Sequence, residues 1–535
     1  MSILLIRPPS LHRKGSARPS IGLPLGLLYI AAFLEQKGYK VNLYDAQANP
    51  QAPVRLNEEP NIHLGYSWEA IEEKITRENP RIVGITVPFS TQVPYACKVA
   101  QLVKKVNKDI LVVVGGNHPT VMPEDFFTLT QAVDVVCIGE GEFPMAELAQ
   151  KFLTGEAWDT VSSTVVRGKD GVRSNAFGGY IGALDALPLP AYHLINLEDY
   201  FALNAQGFTG RPAWEYPGYA RAVSVITSRG CPYECIFCSI HLHMGRKWRA
   251  HSAEYVLKHL ALLKEKYQVR HIHFEDDNLT FDAHRFEDIL RGMIAARSGM
   301  RWDTPNGIRA DSLTKELLAL SKASGCTYVI FGVESGSVRV LREVIHKRLD
   351  LIQVRQAAQW AKELGIDAMA FFVIGFPGET FEEMCTTVAF ALMLMRKYDV
   401  SPTVFLATPL VGTRLFEICK EKGYLRKAVT PESLALATGG GAQQALIATE
   451  LFGVKEIETV LRRFSVGYKK VFLLLFLRYV LRYPRLAMEV VYMMVGARHK
   501  GFKDSLAEVI MFKHCYLKAH SLNRIGGCDR VRVIK

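Results

Sequence analysis

Cysteine is scarce in this chain and mostly scattered: ten in 535 residues, with a single tight cluster. That distribution argues against a disulfide framework and for one metal or catalytic centre. Low-complexity tracts are absent, and composition is that of a globular protein, 49% hydrophobic and 22% charged. Long apolar runs are missing too. The longest late one, Val471 to Leu477, falls far short of the roughly 20 residues needed to span a bilayer. The opening residues Met1 to Pro9 lack a basic start and break after a few apolar residues. They read as a buried strand rather than a secretory signal, so a cytoplasmic location is expected. Acidic residues are sparse in the last seventy positions, which are visibly basic. Over the whole chain 65 Lys and Arg outweigh 53 Asp and Glu, giving +12. Nucleic acid, a membrane surface or an anionic cofactor would each suit that balance.

A chain this long exceeds one hydrophobic core. Up to about residue 155, short apolar runs (Ile3–Ile6, Val41–Tyr44, Ile82–Val87, Ile110–Val114, Val133–Ile138) alternate with amphipathic segments such as Leu25–Gln36 and Tyr95–Val106. Continuous β-branched runs between helices predict a parallel sheet covered on both faces, α/β and doubly wound in the flavodoxin manner. Its ligand should lie beyond the strand C-ends. Ser90 and Thr91 follow the third strand, Gly115-Gly116-Asn117-His118 the fourth and Gly139-Glu140-Gly141-Glu142 the fifth. Glycines there either make tight turns or admit a large ligand; three such ends on one edge favour the ligand.

Residues 156–215 read as a connector with a hairpin-like Gly168-Lys-Asp-Gly171 turn. A second alternation fills 216–435. Strands are expected at Ala222–Thr227, His271–Phe274, Tyr328–Gly332, Ala368–Ile374 and Thr403–Ala407. With the intervening helices they predict a partial, TIM-like β/α barrel. Residues 436–535 are expected to be mainly helical, with a hinge or turn at Gly439-Gly440-Gly441. Within them, Arg478, Arg482 and Arg485 fall on one helical face beside bulky apolar residues. That helix either packs on the barrel with a solvated basic edge or makes peripheral contact with a membrane surface.

The chemistry concentrates in Thr227-Ser-Arg-Gly-Cys231-Pro-Tyr-Glu-Cys235-Ile-Phe-Cys238. Three thiolates at C-x₃-C-x₂-C spacing on one loop can hold three irons of a cubane and leave the fourth open to a substrate. Zinc is the alternative, with His241 or His243 as the fourth ligand.

The cysteine loop, with Gly230 before it and Phe237 within it, resembles the signature of radical S-adenosylmethionine (SAM) enzymes. Later segments resemble that family in order: Phe274-Glu-Asp-Asp277, Gly332-Val-Glu334-Ser335-Gly336, Val373-Ile-Gly375-Phe-Pro-Gly378-Glu379, then Thr408-Pro409 and Gly412-Thr413. The resemblance implies a 4Fe-4S cluster on Cys231, Cys235 and Cys238, with SAM near Phe237, Glu275, Asp276, Glu334, Ser335, Gly375 and Glu379. An electron from the cluster would then cleave SAM to methionine and a 5′-deoxyadenosyl radical. It also implies an electron donor such as a flavodoxin or ferredoxin.

A parallel-sheet domain directly before such a core resembles the cobalamin-binding class of these enzymes. That implies cobalamin at Ser90, Thr91, Gly115, Gly116, Gly139 and Glu140. The Asp-x-His-x-x-Gly loop that ligates cobalt in many corrinoid proteins is absent, and His12 reads as an ordinary loop residue. Methylation of an unactivated carbon, or alternatively of phosphorus, follows as the expected reaction, with a small-molecule substrate such as a lipid or tetrapyrrole. The alternatives are a tetrapyrrole-cyclase-like ring closure or oxidative rearrangement, radical modification of RNA, and a non-enzymatic corrinoid- or zinc-binding scaffold. A methylthiotransferase acting on RNA would want further cluster cysteines in the first domain. Cys97 and Cys137 there look like core packing, and nucleic acid is not an expected partner. No catalytic side chain is assigned; Tyr328, Tyr424 and Glu275 are the conceivable bases, and tyrosines near strands usually pack in cores.

Overall fold

A computed structural model describes residues 2–482, apart from 14–19, 53, 59–60, 169–170, 209–218, 432, 435–436 and 438–440. Five strands form the parallel part of the first sheet: β1 (Ser2–Arg7), β3 (Lys40–Asp45), β6 (Ile82–Thr86), β7 (Leu111–Gly115) and β8 (Val135–Cys137). Their order is β3-β1-β6-β7-β8, the doubly wound order in which the strand sequence reverses beside β1. The β-branched runs explain the burial. Alternate residues Ile3 and Leu5 enter the core on one face, Leu4 and Ile6 the core on the other. A small antiparallel sheet of β2 (Ser10–Arg13), β4 (Val54–Glu58) and β5 (Asn61–Leu64) lies outside this order. His12, expected in a loop, has its backbone in β2, and its side chain is outside the described residues.

The hairpin in the connector does more than link. Its strands β9 (Thr164–Gly168) and β10 (Gly171–Ser174) pair with each other, and β9 pairs antiparallel with β8, widening the first sheet to seven strands. The two-residue turn between them lies outside the described residues.

The second sheet is six parallel strands in simple order: β11 (Ala222–Val225), β14 (His271–Phe274), β15 (Arg301–Ile308), β16 (Cys326–Glu334), β17 (Asp367–Ile374) and β18 (Ser401–Leu406). A two-stranded ribbon, β12 (Ser228–Arg229) and β13 (Arg249–Ala250), brackets the cysteine loop. The sequence reading anticipates every one of the six except β15. Arg301–Ile308 reads RWDTPNGI and carries no β-branched run, and Pro305 and Gly307 are turn residues by type. Its neighbours hold it extended regardless, with register shifts against β16 where those residues fall. The helix Val454–Arg482 packs its early part on the barrel helix Phe381–Tyr398, and Ile457 and Val460 are fully buried. Of the arginines read onto that helix, the Arg482 side chain and all of Arg485 are outside the described residues, as are Gly439 and Gly440.

The two sheets are fastened by a buried ion cluster. Arg229 donates to Glu140 (3.0 Å) and Glu142 (2.7 Å), and Arg249 donates to Glu140 (2.8 Å). All four side chains are almost wholly buried. Glu140 also accepts from the Ile181 amide (2.6 Å), and Arg249 donates to the Ile181 carbonyl (2.7 Å). Removing one member of such a group leaves uncompensated charge in a low dielectric. Glu140→Ala should therefore lower unfolding stability by about 3–5 kcal/mol, read as a drop in thermal or denaturant midpoint without added corrinoid. An unchanged midpoint would show the cluster to be dispensable.

Candidate functional site

The cysteine loop leaves β11 and is anchored at its root by one carboxylate. Asp276, fully buried after β14, accepts from the Thr227 amide (3.1 Å), the Thr227 hydroxyl (2.7 Å) and the Ser228 hydroxyl (2.5 Å). Burial pushes its carboxyl up, and those donors pull it back. Gly230 then turns with φ 84°, and a Cβ there would sit 2.6 Å from the Lys247 carbonyl oxygen. No other residue type fits that corner. The Gly230 amide donates to Asp277 (3.3 Å), whose carboxyl burial pushes up to about 6.

Cys231, Cys235 and Cys238 are free and half-buried. Burial pushes the Cys238 thiol up to about 12, so a cation is needed to hold it as thiolate. The same cause raises Cys235, and Lys347 and then Arg309 act against it. Among the described residues, His271, His273 and Asp303 form the only group of three His, Cys, Asp or Glu ligand atoms within 4.8 Å of one another. The three cysteine sulfurs do not all lie within 4.8 Å of one another, and a cubane takes its three thiolates on separate irons. Within the His271–His273–Asp303 group, Asp303 meets His271 at 3.1 Å and His273 at 2.7 Å. Sequence reading had no access to it, because Asp303 lies on the unanticipated β15.

The expected SAM segments converge on this loop. The rings of Phe237 and Phe376 stand 5.6 Å apart, and the Ile236 amide donates to the Ile345 carbonyl (3.2 Å). Glu334 ends β16 in a left-handed conformation, φ 70°, which costs a non-glycine residue roughly 1 kcal/mol or more. Its carboxylate is held by Lys347 at 2.9 Å. Ser335 is fully buried and shares a 3.0 Å hydrogen bond with Thr387, tying the β16 end to the helix Phe381–Tyr398 that follows β17. Glu379 curls back under its own loop, accepting from the Gly375 (2.7 Å) and Phe376 (3.1 Å) amides through one oxygen. Its other oxygen is buried without a hydrogen-bond partner, and burial pushes the carboxyl up to about 8. Glu275 is half-buried, accepts from Ser224, and borders a cavity of about 170 Å³ lined also by His273, Asn306, Tyr200 and Asn204. Of the other conceivable bases, Tyr328 is buried core and Tyr424 lies on a turn beside Glu450. Lys347 and Arg309, the latter 3.9 Å over the Tyr233 ring, were missed. They lie between motifs, where sequence offers no marker.

At the first sheet's edge, Ser90 opens a short turn after β6, and its hydroxyl meets His118 Nδ1 at 2.9 Å. His118 Nε2 meets Asp125 at 3.1 Å, so both ring nitrogens are engaged within the protein. Burial lowers this imidazole's pKa, which favours the neutral ring. Thr91 is half-buried, and Phe89 beside it is 65% exposed. Gly115 ends β7, and Gly116 has φ 119° with the Val87 carbonyl oxygen only 2.9 Å from where a Cβ would be. Packing alone demands that second glycine. Gly139, donating its amide to Thr120 (3.0 Å), packs beneath Phe177. Glu140 is engaged on both oxygens by the ion cluster. The helix Asn117–Val121 on this edge touches Ile240–His243, which follows the last cysteine. Val121 and Leu242 both border Gly412 after β18. This edge presents hydroxyls and an exposed aromatic ring, and its helix Asn117–Val121 reaches the segment after the last cysteine; such a lining suits a large, flat, partly apolar ligand.

Residues 15–149 match the B12 binding domain family, and residues 225–391 match the radical SAM superfamily. An uncharacterized methyltransferase of Pyrococcus horikoshii is 32% identical over 418 residues, covering 78% of this chain and 83% of that protein. The cytidylyl-2-hydroxyethylphosphonate methyltransferase of Streptomyces wedmorensis is 30% identical over 436 residues, covering 76% and 79%. The chain belongs to the cobalamin-binding radical SAM family. Its cofactors are accordingly a 4Fe-4S cluster, SAM and cobalamin. The solved structure of the radical enzyme OxsB with aqua-cobalamin and SAM shares the fold, with TM-score 0.64 at 18% identity over 98% of this chain and 72% of that one.

Two tests follow from the geometry. Cys238→Ala should cut reconstituted iron and the cluster's visible absorbance to near background, whereas Cys137→Ala, in a buried strand, should leave both intact. Glu379 binds a proton in the folded state up to about pH 8 and in the unfolded chain only to about 4.5. Folding stability from this carboxyl therefore falls as pH rises from about 5 to 8. Glu379→Gln should flatten that fall, worth at most about 5 kcal/mol at the upper end, in denaturant titrations at several pH values. Parallel pH profiles for the two proteins would refute it.

Proposed function

We propose that this chain is a methyltransferase acting on an unactivated carbon of a small or hydrophobic substrate. The observation that supports it best is the buried ion cluster of Arg229, Arg249, Glu140 and Glu142, which sets the first sheet's C-terminal edge against the cysteine loop. When bound, the cluster and SAM supply a carbon-centred radical and the corrinoid supplies a transferable methyl group.

The chain's own residues do the rest. Cys231, Cys235 and Cys238 hold the cluster, and Asp276 fixes the root of their loop. Lys347 and Arg309 offset negative charge beside Cys235. Glu275, Glu334 and the Gly375–Glu379 turn line the SAM side, and Asp276 and Ser335 act there by positioning loops. Phe237 packs against Phe376 and excludes water from between the two loops. On the other side Ser90, with its hydroxyl oriented by His118, and Thr91 face the corrinoid, and Gly115, Gly116 and Gly139 shape that edge. Glu140 contributes by holding the two edges together.

The test is anaerobic reconstitution with cobalamin, a reductant, and SAM carrying a deuterated methyl group, supplied with host small-molecule extract. A product heavier by one labelled methyl in place of hydrogen, with 5′-deoxyadenosine and S-adenosylhomocysteine formed alongside, is expected. Ring closure or oxygen insertion without label would overturn the reading in favour of a cyclase or oxidative rearrangement.

A further inference from the structure

The helix Val454–Arg482 is used by the barrel for only part of its length. Ile457 and Val460 are buried, and Gly467 lets the backbone close on Leu392, where a Cβ would lie 2.3 Å from a leucine methyl. The exposed apolar residues of this helix are unusual. Val466 (48%), Leu473 (54%), Leu474 (52%) and Leu477 (47%) are all exposed. At 100° per residue these four fall within an arc of about 100°, a coherent apolar stripe rather than scattered leucines. Lys470 lies inside the stripe, Lys469 borders one side and Arg478 the other, all exposed. From Thr459 to Arg482 the sequence has six Lys and Arg and no Asp or Glu.

We infer that this face docks on an anionic membrane surface, lying in the interface with its leucines among the acyl chains and its cations at the headgroups. Two features together identify the partner. An apolar stripe flanked by lysine and arginine matches a headgroup layer, where both halves are satisfied at once. A nucleic acid would leave the central leucines exposed. No described helix is long and apolar enough to cross a bilayer, which leaves the in-plane arrangement. Charge also argues against the chain covering its own stripe. Residues 483–535 hold ten Lys and Arg against four Asp and Glu, so that segment would be repelled by the helix face. A second copy would bring the same positive charge. The inference is independent of which group the enzyme transfers.

The experiment uses the full-length holoenzyme and flotation with phosphatidylcholine vesicles, with and without phosphatidylglycerol. Binding to the phosphatidylglycerol vesicles alone, released by high salt, is expected. Lys469→Glu/Lys470→Glu and Leu473→Ser/Leu477→Ser should each weaken partitioning about tenfold or more, with iron content and melting temperature unchanged. Absence of vesicle binding by the unaltered protein overturns the proposal without reference to any variant. A lowered melting temperature in both variants would mean that the C-terminal segment covers the stripe. A dimer that dissociates in both variants would assign it to a second copy, and retention on RNA with no flotation would assign it to nucleic acid. Each of these outcomes also overturns it.

Discussion

Everything about this active centre depends on charge buried where two sheets meet. Glu140 comes from the loop after β8 and Glu142 from the start of the helix Glu142–Thr154, Arg229 and Arg249 from the ribbon that brackets the cysteine loop. Four ionised groups out of water cost a great deal singly and are tolerated only as a complete set. Their value is positional: mismatched edges would strand charges in a low dielectric, so the pairing fixes which edges face each other. The edge of the first sheet and the cysteine loop inherit their relative placement from that electrostatic constraint.

Within the barrel the same logic recurs on a smaller scale. Asp276 spends its carboxylate on the root of the cysteine loop, and Glu379 on the amides of its own turn. Ser335 bonds to Thr387. These residues sit in the segments that mark the family, yet their visible bonds are to protein. Glu275 and Asp277 are the acidic groups of these segments that stay half-buried, whereas Glu334 is buried against Lys347. The polar residues at the strand ends thus divide into those spent on building loops and those left partly exposed.

That division was invisible to sequence reading, which recognised the residues and could not see what each one touches. Pattern was enough for most of the fold: β-branched runs marked the strands, and the alternation with helices marked both sheets. It failed at Arg301–Ile308, where Pro305, Asn306 and Gly307 mimic a turn and flanking strands impose extension. It gave no hint of Lys347 or Arg309, because a cation's approach to a distant cysteine is a tertiary fact. Glu140 was read as a ligand contact for the same reason: its partners lie about 90 and 110 positions away.

One further feature concerns how such a molecule can be altered. The two matched family regions end at 149 and begin at 225, which makes the interval look like spacer. In the fold, that interval supplies β9 and β10 to the first sheet, then passes Tyr180 against Gly245 and joins Ile181 to Glu140 and Arg249. It is stitched to both halves. The unit of inheritance is therefore the whole span from β1 through β18. A recombination event that imported a foreign first half, cut where sequence similarity fades, would tear the stitching from one side or the other. In this chain, changes to loops and cavity walls would leave the stitching intact, while exchange of either half would not.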